Sequence, residues 1–454
     1  MQAKKRRKTA WIIGIAAIAP IAAATILGGL HMKSLHRERE KYWDVIPLPT
    51  EEQRTWADLE IGVIIHLDIQ TFVPEYKFRR QWGYVPPAEL FAPMELDTDQ
   101  WIRSAKAAGA KYAVLVAKHC SGFSLWPTDV HAYSIKQSPW KNGEGDIVGD
   151  FFASCEKYGL KPGLYYSASC NAFYNVDNPG AVRGGDAGAQ QAYNEMVLAQ
   201  LTELWTRYGD VFEIWFDGDC LPVEQGGPDI ASLLHRLQPD AVVFQGPPGT
   251  ESLLRWVGNE RGVAPGDCFA AVEDRWEPAE SDFPNRCALK AFQGGWFWRA
   301  GEENALRSAK ALFNTYLTSA GRNTNMLIGM VIDDRGLVPE ADAAVFAQFG
   351  DLLRQAFDAP IASLARDDLR SAPDPYEYRL ALPENAAPRY LVMEEDIAYG
   401  ERVQGYKVIA GGKTMKGKCI GHKRILALPP AATEVVLEIT RAKAEPVLRG
   451  LAVY

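Results

Sequence analysis

From about residue 97 onward, stretches with apolar residues at helical spacing alternate with short, nearly all-apolar runs. Residues 97–108 place Trp101, Ala105 and Ala108 on one helical face and stop at Gly109, and residues 112–118 then read as a buried strand. The same pairing recurs at 146–158, closed by Gly159 before 161–167, and at 190–208, closed by Gly209 before 211–216. Residues 229–237 precede 241–245, and 304–319 lead through a Gly-Arg-Asn turn into 325–330. Glycine just past a helix supplies its left-handed cap. Apolar strands separated by ten or more helical residues imply parallel pairing, because crossovers need that length. Five such units in about 300 residues predict a (β/α)8-like, TIM-type barrel, with a doubly wound open sheet as the alternative.

After about residue 360 the pattern changes. All 13 Trp lie at or before Trp298, and the runs 376–382, 390–393, 404–408, 424–428 and 433–439 are short and bounded by Pro, Gly or Asn. Such runs predict an antiparallel β-sandwich. The amino terminus differs again: Lys4, Lys5, Arg6, Arg7 and Lys8 precede an almost wholly apolar stretch at 9–30. That length suffices to cross a bilayer, and the preceding cations predict a cytoplasmic N-terminus with the remainder exported. A cleaved signal peptide is the alternative, since Ala22, Ala23 and Ala24 offer small residues at cleavage spacing. The anchor is preferred because the apolar run continues past that point. The chain therefore divides into a basic stub and anchor or signal segment at 1–40, a catalytic barrel at 41–358 and a sandwich at 359–454. The folded part is expected outside the cytoplasm, tethered to the membrane by the amino-terminal helix.

Charge and cysteine narrow the chemistry. The chain carries a net −8, yet residues 1–40 hold +6, so the rest carries −14 with no basic stripe for nucleic acid. No glycine fingerprint for phosphates sits at a strand-to-helix turn, which argues against a nucleotide. The seven cysteines form no C-x-x-C pair and the seven histidines are scattered, so neither a metal nor another cofactor is expected. Most of the thiols read as small buried hydrophobes.

In a barrel, chemistry sits at the C-terminal ends of the strands. Three strand ends carry unusual polar residues. In Glu213-Ile214-Trp215-Phe216-Asp217-Gly218, alternation sends Ile214 and Phe216 to one side and Glu213, Trp215 and Asp217 to the other. Ile and Phe suit the helix-facing side, so Asp217 points inward, and an aromatic beside an inward carboxylate suits a glycosidase. The plainer reading is an Asp that caps the next helix. His119 ends the run 112–118, and His66 ends the run 61–66; each is either a sugar ligand or a satisfied structural His. Tyr165 is an inward phenol by alternation, or a core tyrosine.

Longer motifs carry a resemblance. His66 at the end of the first strand, "DTDQWIRSAKAAGAKYAVLVAKH", "GFSLWPTDV", "SPWKNGEGDIVGDFFASCEKYGLKPGLYYS", "EIWFDG", "RWVGNERGVAP" and "NMLIGMVIDDRGLVPE" stand in order over residues 50–350. The sequence resembles the α-L-fucosidases of glycoside hydrolase family 29, and "GHKRILALPPAATEVVLEI" is similar to that family's sandwich domain. The resemblance implies a retaining double displacement in which Asp217 attacks the anomeric carbon, with a second carboxyl group as acid/base about 5–5.5 Å away. "WEPAESD" resembles a stretch of the α-1,3/1,4-cleaving subgroup and implies Glu280 as that acid/base, with Glu260 as the alternative. "GGWFW" resembles a segment whose aromatics pack on the sugar, which implies Trp296 or Phe297, and Arg255 is a further candidate for a sugar hydroxyl. With His66, His119, Tyr165 and Trp215 these make up the expected substrate site.

Two places depart from the family pattern. The first strand ends His66-Leu67-Asp68 instead of H-W-G, and K-H-H-D-G-F becomes Lys118-His119-Cys120-Ser121-Gly122-Phe123. A thiol cannot replace the hydrogen bonding of imidazole. The expected activity is removal of terminal α-L-fucosyl residues from oligosaccharides or glycoconjugates. A related α-glycosidase for another sugar, such as an α-galactoside, and a catalytically silent carbohydrate-binding protein are the alternatives.

Overall fold

The structure, a computed structural model, describes residues 45–218, 220–370 and 376–454. Eight parallel strands close into a barrel: β1 (Ile61–His66), β2 (Tyr112–Lys118), β3 (Lys161–Tyr166), β4 (Glu213–Phe216), β5 (Val242–Phe244), β6 (Leu253–Trp256), β7 (Ala279–Pro284) and β8 (Thr324–Val331). Each strand pairs with its neighbours in chain order, and β8 closes on β1 with Ile61 beside Met326 and His66 beside Val331. The open-sheet alternative is thereby excluded.

Helices wrap the barrel, five of them where the apolar periodicity places them. They are α1 (Glu51–Leu59), α2 (Thr98–Ala107), α3 (Ile147–Tyr158), α4 (Ala187–Arg207), α5 (Ile230–Leu237), α6 (Ala309–Thr318) and α7 (Glu340–Phe357). Side chains satisfy the orphan amides at their starts: Asp97 accepts from the Gln100 N–H at 3.1 Å and Asp146 from the Gly149 N–H at 2.9 Å. Among the described residues, β5 passes to β6 and β6 to β7 without a long helix.

Strand alternation sorts the core into two layers. Val63, Ile65, Leu115, Leu164, Ile214 and Phe216 pack outward against the helices. Ile64, Val114, Tyr165, Trp215, Phe244 and Leu327 fill the barrel interior. The inner row of β4 is thus Glu213, Trp215 and then Asp217, which approaches the C-terminal mouth one step at a time.

Beyond the barrel, two four-stranded antiparallel sheets carry a separate apolar core. One contains Ala362–Ser363, Leu448–Val453, Tyr390–Glu395 and Arg424–Ala427; the other contains Glu377–Ala381, Glu434–Ala442, Val403–Ala410 and Lys413–Gly417. They hold the barrel through charged contacts. His422 and Arg449 bind Asp58 at 2.8 and 2.7 Å, Lys423 pairs with Glu60, and Glu401 accepts from the Ala270 N–H at 2.9 Å. Asp58 and Glu60 immediately precede β1, so this buttress grips the end of the barrel opposite the strand C-termini.

The expected membrane helix at 9–30 lies outside the described residues. Among the described residues, no helix is long and apolar enough to cross a membrane. Among the described residues no disulfide joins the cysteines, and Cys120, Cys155, Cys170, Cys268 and Cys419 are buried.

Candidate active site

A cavity of about 610 Å³ opens at the C-terminal end of the strands. Asp217 reaches it from just beyond β4, where Gly218 turns the chain away with φ of +75°. A side chain at that φ is strained, and a Cβ there would stand 3.2 Å from the Ser169 hydroxyl, which makes glycine the fitting residue. Tyr165 donates its hydroxyl to Asp217 Oδ2 at 2.7 Å, and the Ser169 hydroxyl donates to the Asp217 carbonyl. One carboxylate oxygen of this cavity-lining residue is therefore fixed.

Stacked rings support this pair. His119 lies on Tyr165 at 5.7 Å and 13°, Tyr165 on Trp215 at 5.3 Å and 18°, and Trp215 on Phe244 at 4.0 Å and 6°. His66 stands 5.0 Å from Trp296 and 5.3 Å from Phe297, while Phe297 meets His119 edge-on at 5.0 Å. His66, His119, Tyr165, Trp215, Trp296 and Phe297 all line the cavity with Asp217.

The two imidazoles are shifted in opposite directions. Burial and the neighbouring His119 lower His66 to about 3, so it is neutral. Burial opposes a charge on His119 too, while the carboxylates of Asp68 and Asp217 favour one and draw that ring upward from the usual imidazole value. Nδ1 of each ring is buried and has no protein partner among the described residues. Both rings border the cavity, where imidazole nitrogens can meet ligand hydroxyls.

Glu280 stands elsewhere. It is the second residue of β7 and fully buried in the barrel interior, where it accepts from the Tyr112 hydroxyl at 2.7 Å and the Trp215 indole at 3.0 Å. It does not line the cavity, where the expected acid/base would stand. The reason is register. Glu280 and Asp282 both face inward, and Asp282 lies two residues, roughly 6.6 Å, nearer the mouth. Glu280 instead shares a buried layer with Glu213. Burial and the adjacent Glu280 push Glu213 well above the carboxyl range, so Glu213 keeps its proton.

Arg255 is also absent from the cavity. Its guanidinium donates to the carbonyls of Glu277 at 3.0 Å and Phe269 at 2.7 Å, which commits it to holding the chain before β7.

The other carboxyl groups on the cavity are Glu260 and Asp282. Glu260 lies in the loop after β6, is exposed, and makes no ion pair among the described residues with either Arg255 or Arg261. Asp282 is 4% exposed and accepts from the Trp256 indole at 2.6 Å. Burial pushes Asp282 up to about 8, against that hydrogen bond and with help from Glu280 and Glu260. Sequence reading missed Asp282; its available signal was the inward spacing of Glu280 and Asp282 on a strand whose polar string looks like a loop.

The two departures in sequence pattern meet in space. Ser121 donates to Asp68 Oδ1 at 2.6 Å and Gln70 to Asp68 Oδ2 at 2.7 Å, so a carboxylate from the first strand end occupies the neighbourhood of the second. Cys120 lines the cavity as a buried thiol. His119, Cys120 and Asp217 offer donor atoms within 4.8 Å of one another, a set that fits a soft divalent cation.

A strand-end carboxylate braced by a tyrosine, facing further carboxyl groups across an aromatic-walled cavity, defines a barrel glycoside hydrolase. Residues 41–356 match the family model described as Alpha-L-fucosidase. A putative alpha-L-fucosidase 1 from Oryza sativa subsp. japonica is 30% identical, with 90% of this chain and 85% of the rice protein covered. A solved putative alpha-L-fucosidase from Bacteroides thetaiotaomicron superposes with a TM-score of 0.83 at 32% identity, covering 90% of this chain and 99% of that one. A glycoside hydrolase 29 family member from an unknown rumen bacterium gives 0.75 at 29% identity, covering 90% and 77%. The chain belongs to the α-L-fucosidase family, glycoside hydrolase family 29. Its reaction is the hydrolysis of α-L-fucosyl residues.

Proposed function

We propose that this chain is a retaining α-L-fucosidase in which Asp217 is the nucleophile and Glu260, not Glu280, is the acid/base. Asp217 attacks C1 of the fucosyl unit as the C1–O bond breaks, and the departing oxygen takes the proton of Glu260. Glu260 then deprotonates a water that attacks C1 from the vacated side, Asp217 leaves, and the sugar keeps its α configuration. Tyr165 holds one Asp217 oxygen and leaves the other to react. His66 and His119 bind sugar hydroxyls, while Trp215, Trp296 and Phe297 offer apolar walls to the ring and its methyl group.

The observation that carries this reading is that Asp217 and Glu260 share one cavity from which Glu280 is absent. Asp282 is the second candidate for the acid, because burial keeps it protonated. Position favours Glu260. The leaving group departs through the mouth, where Glu260 is exposed and can meet incoming water, whereas Asp282 is tied to Trp256.

Glu260→Ala should lower kcat at least a hundredfold on fucosides with poor leaving groups and far less on activated aryl fucosides, and azide should restore turnover as the α-fucosyl azide. If Asp282→Asn gives that pattern and Glu260→Ala does not, the acid is Asp282. The apolar stretch at 9–30 and its preceding cations support export, with the enzyme held at the outer face of a membrane. Full-length protein in the soluble cytoplasmic fraction would contradict that location.

A further inference from the structure

The mouth of the cavity carries three cations from one short segment. Lys77, Arg79 and Arg80 line it together, and all three are exposed. Their segment is pinned in place. The one-turn helix Phe78–Arg80 buries Phe78, whose ring stands 6.3 Å from His119 and 6.2 Å from Trp82. The Lys77 amide donates to the Gln81 side chain at 2.8 Å, and the Arg80 amide donates to the Lys77 carbonyl at 2.8 Å. Among the described residues, none of the three cations has an ion-pair partner, although other exposed arginines such as Arg103, Arg183 and Arg379 do.

This arrangement is out of keeping with its surroundings. The chain is net negative, and the cavity itself holds Asp217, Glu260 and Asp282. The ionised Asp217 repels any anion near the reacting bond. Three unpaired cations fixed at the entrance supply the opposite field where a substrate extends beyond the fucosyl unit. The fucosyl unit itself is uncharged and gives them no partner.

We propose that Lys77, Arg79 and Arg80 form a subsite for an anionic group, a sulfate ester or a carboxylate, borne on the sugars to which the fucosyl unit is attached. The inference rests on the fucosidase reading of the cavity and adds the charge class of the leaving group. Arginine and lysine suit such oxyanions through charge-assisted hydrogen bonds. Each exposed pair is worth a factor of roughly 1.5 to 5, so the three together give a preference of about tenfold.

The test uses three ligands with one fucosylated N-acetyllactosamine core: neutral, sulfated and sialylated. Binding to the full chain carrying Asp217→Asn is measured by calorimetry at low and high salt, and kcat/KM is measured on the wild type. The anionic ligands should bind about tenfold more tightly than the neutral one at low salt. That ratio should collapse toward one in 0.5 M sodium chloride, and also when Lys77→Ala, Arg79→Ala and Arg80→Ala are combined. A preference confined to the sulfated ligand identifies the sulfate ester as the natural group, and one confined to the sialylated ligand identifies the carboxylate. Equal affinities at low salt, or no binding of any of the three, overturns the proposal. The salt series on the unmodified segment decides the matter even if the triple variant fails to fold. Absence of turnover on all three with a binding preference intact would defeat the fucosidase mechanism and leave the anion subsite standing.

Discussion

Replacing Glu280 with alanine removes the acceptor for two buried donors, the Tyr112 hydroxyl and the Trp215 indole N–H. Each donor left without a partner costs about 1–3 kcal/mol, so the two together cost roughly 4 kcal/mol. A second effect works the other way and depends on pH. Burial raises the Glu280 carboxyl to about 7 from a usual 4.5, with the hydrogen bonds of Tyr112, Trp215 and Glu213 opposing the shift. A raised carboxyl stabilises the fold fully below the unfolded value, and that contribution is lost as pH climbs through about 7. The shift is worth roughly 3 kcal/mol. Glu280→Ala should therefore destabilise by about 3 kcal/mol at pH 5 and by only about 1 kcal/mol at pH 8. Urea unfolding followed by tryptophan fluorescence at the two pH values measures both numbers. Glu280→Gln, which keeps the shape, provides the comparison if the alanine variant does not fold. Unchanged stability at both pH values, together with a large loss of kcat confined to poor leaving groups, would restore Glu280 as the catalytic acid and refute the reasoning.

Tyr165→Phe removes the hydrogen bond that fixes Asp217 Oδ2, a bond to a charged group worth about 1.5–3 kcal/mol. It should lower kcat roughly 10- to 100-fold in steady-state assays, with KM nearly constant; an equal rise in KM would make the tyrosine a substrate ligand instead. The donor set of His119, Cys120 and Asp217 predicts that added zinc ions inhibit turnover and that EDTA reverses this. Cys120→Ser should weaken that inhibition, and insensitivity of the wild type to zinc would contradict it.

How much of this was legible in the sequence follows from where each residue sits on its strand. Strands β1 to β4 are apolar and are followed or preceded by capped amphipathic helices, so their ends, and with them His66, His119, Tyr165 and Asp217, could be located from the pattern, while the roles expected of them came from the family resemblance. Strand β7 reads Ala-Glu-Ser-Asp-Phe-Pro and hides its identity, because its polar residues are buried in the barrel and paired there. Without that strand, Glu280 looked like a loop carboxylate at the cavity instead of one layer below it. Arg255 was misplaced for a related reason: β6 is four residues long, and nothing local shows which of its side chains face inward. The joining of Asp68 with Ser121 depends on two strand ends 53 residues apart, which only the closed barrel brings together.

The most direct measurement is to trap the glycosyl-enzyme with a 2-fluoro-substituted fucosyl fluoride and map the modified peptide by mass spectrometry. The account predicts one added deoxyfluorofucosyl unit on Asp217, formed in the wild type and absent in Asp217→Gly. A label on Glu260 or Asp282, or steady turnover with no covalent adduct at any carboxylate, would contradict it.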